Sequence, residues 1–507
     1  MGPNSGERLE YRPNAQSVGD RSEWSTAGSF PERSLSMGGI GHLHQQVTIR
    51  SLPDDVLLKI FKTFVDKVDF HHIVFEEWRT LVHVCRRWRN LVFRYPRHLN
   101  LELLYRPSTR SVKKVLDIWP ELPIYIWAID YKTKETRENL VTALRLNHRV
   151  SGIRFDWLPD SAWETFTPLM QQPFPVLTHL WVRPYLPKHV TSRSFLGGSA
   201  PSLQVLHLDF ISFTALSNLL LSAADLVCLS YGNIPSSGYI SPQAMVTALS
   251  ALTRLESLSL TFRLESLPHR ATRIPPPDTC TLLPALTYLC VQGIPEYVED
   301  LVAQIDTPLL ESMAITLFNQ ELLEVSELSK FVRRADRLSL VDRAEVTFGS
   351  DRISVLLSKE LQGKVDPKTL RLYPSCPESD LRLSYLAQFC ASCLPTLALF
   401  ECLHIPVPID FTWYDVIDDP DPRWLELLRL FNTVKNLRLS EAIAFRVAKT
   451  LRRLPAERVT EVLPALENVF ISRLVFPGLL KEAISKFADA RRLSGHPVSI
   501  YNWDGIM

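Results

Sequence analysis

At 507 residues and 57.9 kDa the chain is too long for one ordinary core, and length alone points to about three domains unless a repeat array grows without a single centre. Hydrophobic residues at 46% and charged residues at 22% give a globular composition, and Lys plus Arg at 56 against Asp plus Glu at 55 leaves no overall attraction for nucleic acid or an anionic membrane. No run nears the roughly 18 to 20 apolar residues of a membrane span and no secretory signal is evident, so the eight cysteines are expected to be reduced, in the cytoplasm or nucleus.

Residues 1–47 hold seven of the 18 glycines among Ser, Arg, Glu and Pro, and read as a disordered tail. Residues 48–98 then carry two helical stripes. The first places Val56, Leu57, Ile60, Phe61, Phe64 and Val65 on one face, with Pro53 in the first turn and Ser51 and Asp54 as a start signal. The second places Trp78, Leu81, Val82, Cys85, Trp88, Leu91 and Val92 on one face and stops at Pro96. Helices this short bury too little surface to stand alone, so an apolar face with two tryptophans invites a partner.

The pattern L-P-x-x-V-L-L-x-I-F followed by V-C-R-x-W-R-x-L resembles an F-box, the helical module that docks proteins onto the Skp-type adaptor of cullin-based ubiquitin ligases. The resemblance implies a docking set of Leu52, Pro53, Val56, Leu57, Ile60, Phe61, Val84, Cys85 and Trp88. The chain departs from the usual pattern at Asp66 to Phe75, a longer connection containing His71 and His72, which reads as a solvated loop. Residues 99–149 read as a connecting strand–helix–strand segment and N-terminal cap: a strand at Leu99–Leu104, a helix at Ser111–Trp119 and a β-prone run at Leu122–Asp130. From the F-box to about residue 130 the chain is similar to a lineage of fungal F-box proteins with repeat-bearing C-terminal domains.

From 150 to 478 the chain repeats a unit, apolar-x-x-apolar-x-apolar, beginning at 150, 177, 203, 226, 255, 286, 310, 335, 367, 397, 434 and 466, with starts 23 to 37 residues apart. This spacing falls within or near that of leucine-rich repeats, each unit a strand with a helix or loop behind it. Helices are expected at Ala215–Ala223, Pro242–Leu252, Tyr297–Gln304, Leu323–Ala335 and Leu425–Phe431. Positions where such repeats normally carry Asn or Cys hold Tyr185, Ile211, Ile234, Arg263, Ile294 and Phe318, so no asparagine ladder is expected. The result is an irregular solenoid with insertions near 264–282 and 404–423, closed by a C-terminal cap at 479–507, a helix at Leu479–Leu493 and a strand at Val498–Trp503.

No nucleotide-binding, zinc-protease or serine-hydrolase motif is present. Cys390, Cys393, Cys402 and His404 have zinc-ligand types, but two of them alternate with apolar residues on a predicted strand, so they read as buried reduced cysteines and no metal or cofactor is expected. The pairs Arg86-Arg87, Arg333-Arg334, Arg452-Arg453 and Arg491-Arg492 read as solvated helix faces. Asp415, Asp418, Asp419 and Asp421 read as an exposed loop. If alternate residues of each strand point inward, the open face carries His179, Trp181, Arg183, His207, Asp209, Arg371, Tyr373, Asn436 and Arg438, a candidate target-binding surface. The chain thus reads as α/β, a short all-helical F-box module followed by an irregular leucine-rich-repeat-like solenoid, and as a non-enzyme. The resemblance implies the substrate-recognition subunit of a Skp–cullin–F-box ubiquitin ligase, with a Skp-type adaptor, a cullin and an unknown target as partners. The alternative is a non-catalytic protein-interaction scaffold that does not direct ubiquitination. Neither nucleic acid nor a membrane is an expected partner.

Overall fold

The computed structural model describes residues 49–65, 77–96, 98–99, 101–107, 111, 114–116, 122–190, 193–263, 280–318, 325–339, 342–348, 353–361, 364–374, 382–393, 400–406, 422–472 and 477–502. The expected tail, the connection with His71 and His72, the acidic cluster, Trp503 and most of both insertions lie outside these. The chain divides into two units, 1–56 and 57–507, with the boundary inside helix α1, Asp54–Val65.

Leu57, Leu58 and Phe61 line the buried side of α1. The second stripe is expected as one helical face but forms two helices, α2 at Glu77–Val84 and α3 at Arg86–Arg94, because Cys85 is extended, at φ −159° and ψ 170°. The break is held by Arg89, whose Nε donates to the Val82 carbonyl at 2.9 Å and whose backbone N–H donates to Cys85 O at 3.0 Å. Trp78, Leu81, Val82, Leu91 and Val92 are buried as the stripe requires.

Among the described residues sixteen strands make one sheet, built from β1 Leu103–Tyr105, β2 Ile124–Ala128, β3 Val150–Leu158 and β4 His179–Pro184, followed beyond the short β5 Lys188–Val190 by β6 Val205–Asp209. After β7 Ile211–Phe213, which pairs only with β5, come β8 Cys228–Ile234 and β9 Ser257–Phe262; then, past β10 Thr281–Leu282, β11 Tyr288–Gly293, and past β12 Ile305–Asp306, β13 Ser312–Leu317. Each of these sheet strands lies parallel to the one before it, in register, so that Leu180, Leu206, Leu229, Leu258, Leu289 and Met313 form one buried column. Apolar residues, mostly leucine, at the first, fourth and sixth positions of these units build this core, the fourth and sixth by simple alternation along the strand.

The expected loss of a side-chain asparagine ladder is met by the main chain. The residue entering each strand donates to the equivalent carbonyl of the strand before: Thr178 to Ser151 at 2.7 Å, Gln204 to Thr178 at 2.8 Å, Val227 to Gln204 at 2.8 Å and Glu256 to Val227 at 2.8 Å. The same ladder runs through Lys435 to Glu401 and Glu467 to Lys435, both at 2.9 Å.

The order breaks after β13. A strand expected at 335–340 is instead a 3-10 turn, Asp336–Ser339, which buries Ala335 and Leu338 at the i, i+3 spacing that such a turn also satisfies. The chain continues into an antiparallel meander, β14 Arg343–Phe348, β15 Ile353–Leu361 and β16 Lys364–Pro374, inserted in reverse so that β16 pairs with β13 and β14 pairs with β17 Cys402–Ile405. Parallel order then resumes through β18 Asn436–Ser440, β19 Asn468–Ser472 and β20 Ser499–Asn502.

Helices α4 Lys134–Leu144, α5 Asp160–Phe166, α6 Leu216–Ser222, α7 Pro242–Leu249 and α8 Pro295–Val302 lie between strands, followed by α9 Ser326–Arg334, α10 Arg382–Cys393, α11 Arg423–Leu428, α12 Glu441–Leu451 and α13 Pro477–Leu493. From α6 onward each packs on the next, covering one side of the sheet. All the expected repeat helices form within a few residues of their predicted ends. One charge assignment is overturned: Arg491 is not solvated but fully buried, its guanidinium donating to the carbonyls of Val462, Leu463, Pro464, Leu466 and His496 at 3.1–3.3 Å. The turn before β19 presents four carbonyls and the chain after α13 a fifth, and the guanidinium satisfies them together. No described helix is long and apolar enough to cross a membrane.

Candidate interaction sites

The F-box-like segment separates its apolar residues into two groups. Leu57 and Phe61 are fully buried, and the Phe61 ring meets the Trp88 ring at 4.6 Å and 60°. In this chain those two expected docking residues fill the module's own core, and Trp88 is half-buried against them. Ile60 and Phe64, one turn apart on the other side of α1, are 42% and 39% exposed, Val84 is 59% exposed, and Cys85 is exposed at the α2–α3 break. In the first unit Pro53 is exposed, while Leu52 and Val56 are half-buried.

The open side of the sheet presents the expected face residues in rows set by strand register. One row runs Trp127, Arg154, Trp181, His207, Ser230, Ser259, Cys290, Ala314 and Arg371, then Leu356, Glu345, His404, Arg438, Phe470 and Tyr501. Its middle is small side chains and its ends are bulky or charged. Tyr373 lies on the same face opposite Thr316, and Asn468 donates to Asn436 Oδ1 at 2.9 Å in the neighbouring row.

The amino-terminal end is the more elaborate. The Arg154 guanidinium sits 5.3 Å from the Trp127 ring and 4.7 Å from the Trp181 ring, and Trp181 stacks on His207 at 3.5 Å and 7°. Arg154 Nε donates to Asp156 Oδ2 at 2.7 Å, and Trp127 Nε1 donates to the same oxygen at 3.1 Å. In the next row Arg183 lies 4.2 Å from the Trp157 ring centre and 3.0 Å from Asp209 Oδ2, but its N–H is not aimed at that oxygen, so the pair is coulombic rather than hydrogen-bonded. Asp209, only 5% exposed, also accepts from Asn233 Nδ2 at 2.7 Å. Burial lowers His179 to about 4, and burial with the neighbouring Arg183 and Arg154 lowers His207 to about 3, so both are neutral above those values.

At the far end Arg343 Nη2, Glu345 Oε2 and His404 Nδ1 converge at 3.0–3.3 Å, and the His404 hydrogen bond holds the Glu345 carboxyl below its usual range. That spends the His404 Nδ1 nitrogen, Cys390 is buried with its thiol pushed up to about 12, and Cys393 lies outside the residues whose side chains are described. Among the described residues no group of three or more His, Cys, Asp or Glu is placed to hold a metal.

Trp127, Arg154, Asp156, Trp157 and Glu345 were not among the expected face residues. Arg154 is the fifth residue of its unit, the position of Trp181 and Arg438 in theirs, so the alternation rule would have found it. Trp157 would not have been found. It is the extra residue of a bulge between Asp156 and Leu158, held at φ 55°.

Residues 49–96 match the F-box-like family. A solved leucine-rich repeat-containing protein of Legionella pneumophila, LegL7, is similar at 12% identity over 64% of this chain and 94% of that chain, with a TM-score of 0.24. The architecture rests on the strands and helices described above rather than on that likeness. Among curated proteins none matches. The chain therefore carries an F-box-like module followed by a leucine-rich-repeat-like α/β solenoid.

Proposed function

We propose that the chain is the substrate-recognition subunit of a Skp–cullin–F-box ubiquitin ligase, acting in the cytoplasm or nucleus. The observation that carries the reading is an F-box-like segment that leaves Ile60, Phe64 and Val84 exposed although its own core is already filled by Leu57, Phe61 and their neighbours. Such apolar surface is covered by an adaptor, through which a cullin is reached. The open face of the solenoid would hold a target. The chain supplies no chemistry of its own. Its contribution is proximity, keeping a target lysine near a conjugating enzyme bound elsewhere in the complex.

Ile60→Glu with Val84→Glu is expected to abolish co-purification with a Skp-type adaptor while leaving the thermal unfolding profile unchanged. Undiminished adaptor capture would refute the docking reading. If the adaptor is captured but no partner of the repeats is ubiquitinated in its presence, the chain is a scaffold instead.

A further inference from the structure

We infer that the amino-terminal end of the open face, across β2, β3, β4 and β6, binds an acidic peptide segment carrying a large apolar or aromatic side chain. This deepens the receptor reading and rests on it for the peptide's origin in a target protein. This end of the face carries unspent donors. Arg154 is held between Trp127 and Trp181 with only its Nε bonded, so neither terminal amino group is used within the described residues. The Trp181 Nε1 and Arg183 Nε hydrogens also have no acceptor among the described residues, but both atoms are buried, so the donors left for a ligand are the terminal amino groups of Arg154 and of Arg183, whose side chain is 34% exposed. The acceptors nearby are already engaged: Asp156 Oδ2 takes two donors, Asp209 Oδ1 takes Asn233, and Asp209 Oδ2 faces Arg183. Asp156 is a positioning residue that holds the Arg154 guanidinium through its Nε, and Asp209 holds the charge of Arg183 beside it without a hydrogen bond. A surface rich in fixed donors and poor in open acceptors selects carboxylates over ammonium groups.

Charge agrees with this. The described strands and the residues flanking β1 place six arginines on the face, Arg106, Arg154, Arg183, Arg343, Arg371 and Arg438, against four carboxylates, Glu102, Asp156, Asp209 and Glu345, of which burial pushes Glu102 toward its uncharged form, on a chain whose net charge is only +1. The apolar half of the occupant has its own seat. Trp157, in a left-handed conformation that a bulky residue rarely adopts, is 46% exposed beside Tyr185, which is 60% exposed, at 5.7 Å between rings, with Ile129 and Leu186 also exposed at the same strand ends. Trp, Tyr and Arg clustered in this way are the side chains that dominate binding energy.

The test pans a random-peptide display library on the full chain, then measures the winning peptide by fluorescence polarisation. Sequences with Asp or Glu flanking Trp, Phe or Leu should be enriched, their binding should weaken as salt rises, and Arg154→Gln, Arg183→Gln or Trp157→Ala should each weaken it about tenfold without changing thermal stability. Enrichment of basic or uncharged sequences, no enrichment, binding indifferent to the two arginines, or displacement by a single-stranded oligonucleotide more readily than by free peptide would each overturn it. The measurement omits the adaptor, so its failure and the failure of adaptor docking are seen separately.

Discussion

His207 and His179 carry the face's sensitivity to acid. Above about pH 6.5 neither the folded nor the unfolded chain protonates them, and they add no pH dependence. Below it the unfolded chain takes up protons that the folded chain refuses, until about pH 4 for His179 and about pH 3 for His207, so stability falls across that window. The loss is at most about 1.4 kcal/mol per pH unit for each histidine. Urea midpoints at pH 7 and pH 5 should draw apart in the wild-type chain and lie closer together in His207→Gln; equal gaps would place the acid sensitivity elsewhere. Arg491 makes a second prediction of this kind. Arg491→Met keeps the stem but removes the guanidinium donor from five carbonyls, of which Leu463 O keeps the Leu466 N–H, and is expected to cost about 3 kcal/mol, seen as faster hydrogen exchange in β19. Sequence could not separate Arg491 from Arg492: they are adjacent basic residues, one buried under a turn and the other exposed and paired with Asp489 at 3.0 Å. Only the path of the 462–466 turn, which includes Leu463 at φ 51°, makes them different.

Between elements, the helices are tied by a contact that no propensity reveals. Glu299, buried on α8, accepts from the backbone N–H groups of Glu327 and Leu328 at 2.8 Å each, capping the first turn of α9 from a neighbouring helix. Glu299→Ala should lower the local stability of α9 by about 2 kcal/mol, read as lost amide protection at 327–332 with α7 unaffected. Uniform change across both helices would mean that the cap is not local. The positions of α8 and α9 themselves were legible, because their apolar spacing, and for α8 the proline at its first position, are local signals. The meander was not. Its 32-residue gap between repeat starts at 335 and 367 fits one long repeat turn, and Ala335 with Leu338 satisfies a strand pattern and a 3-10 turn equally well. What decided the matter is pairing: Leu370 and Leu372 on β16, not residues 335–340, take the register beside Met313 and Ile315.

For the molecule as a whole, the reversed meander divides a sheet that is otherwise a simple succession. Up to β13 every described sheet strand pairs with its neighbours in that succession, and within the sheet β13 meets the later chain through β16. In repeat proteins stability is close to a sum of nearest-neighbour terms, so removing everything beyond β13 uncovers one strand edge and the surface of α8 that α9 covered. A chain ending at Phe318 is therefore expected to keep amide protection in β3 to β9 within about tenfold of the full chain, while β11 and β13 lose more and the bare edge promotes self-association at high concentration. Hydrogen exchange at low protein concentration checks it. Collapse of protection throughout β3 to β9 would show that the sheet folds as one cooperative body and that the meander is part of its nucleus rather than a seam. Survival of that block would carry a functional consequence, since Arg154, Trp157, Trp181 and Arg183 all lie within it, and the shortened chain should then bind the selected acidic peptide as the full chain does.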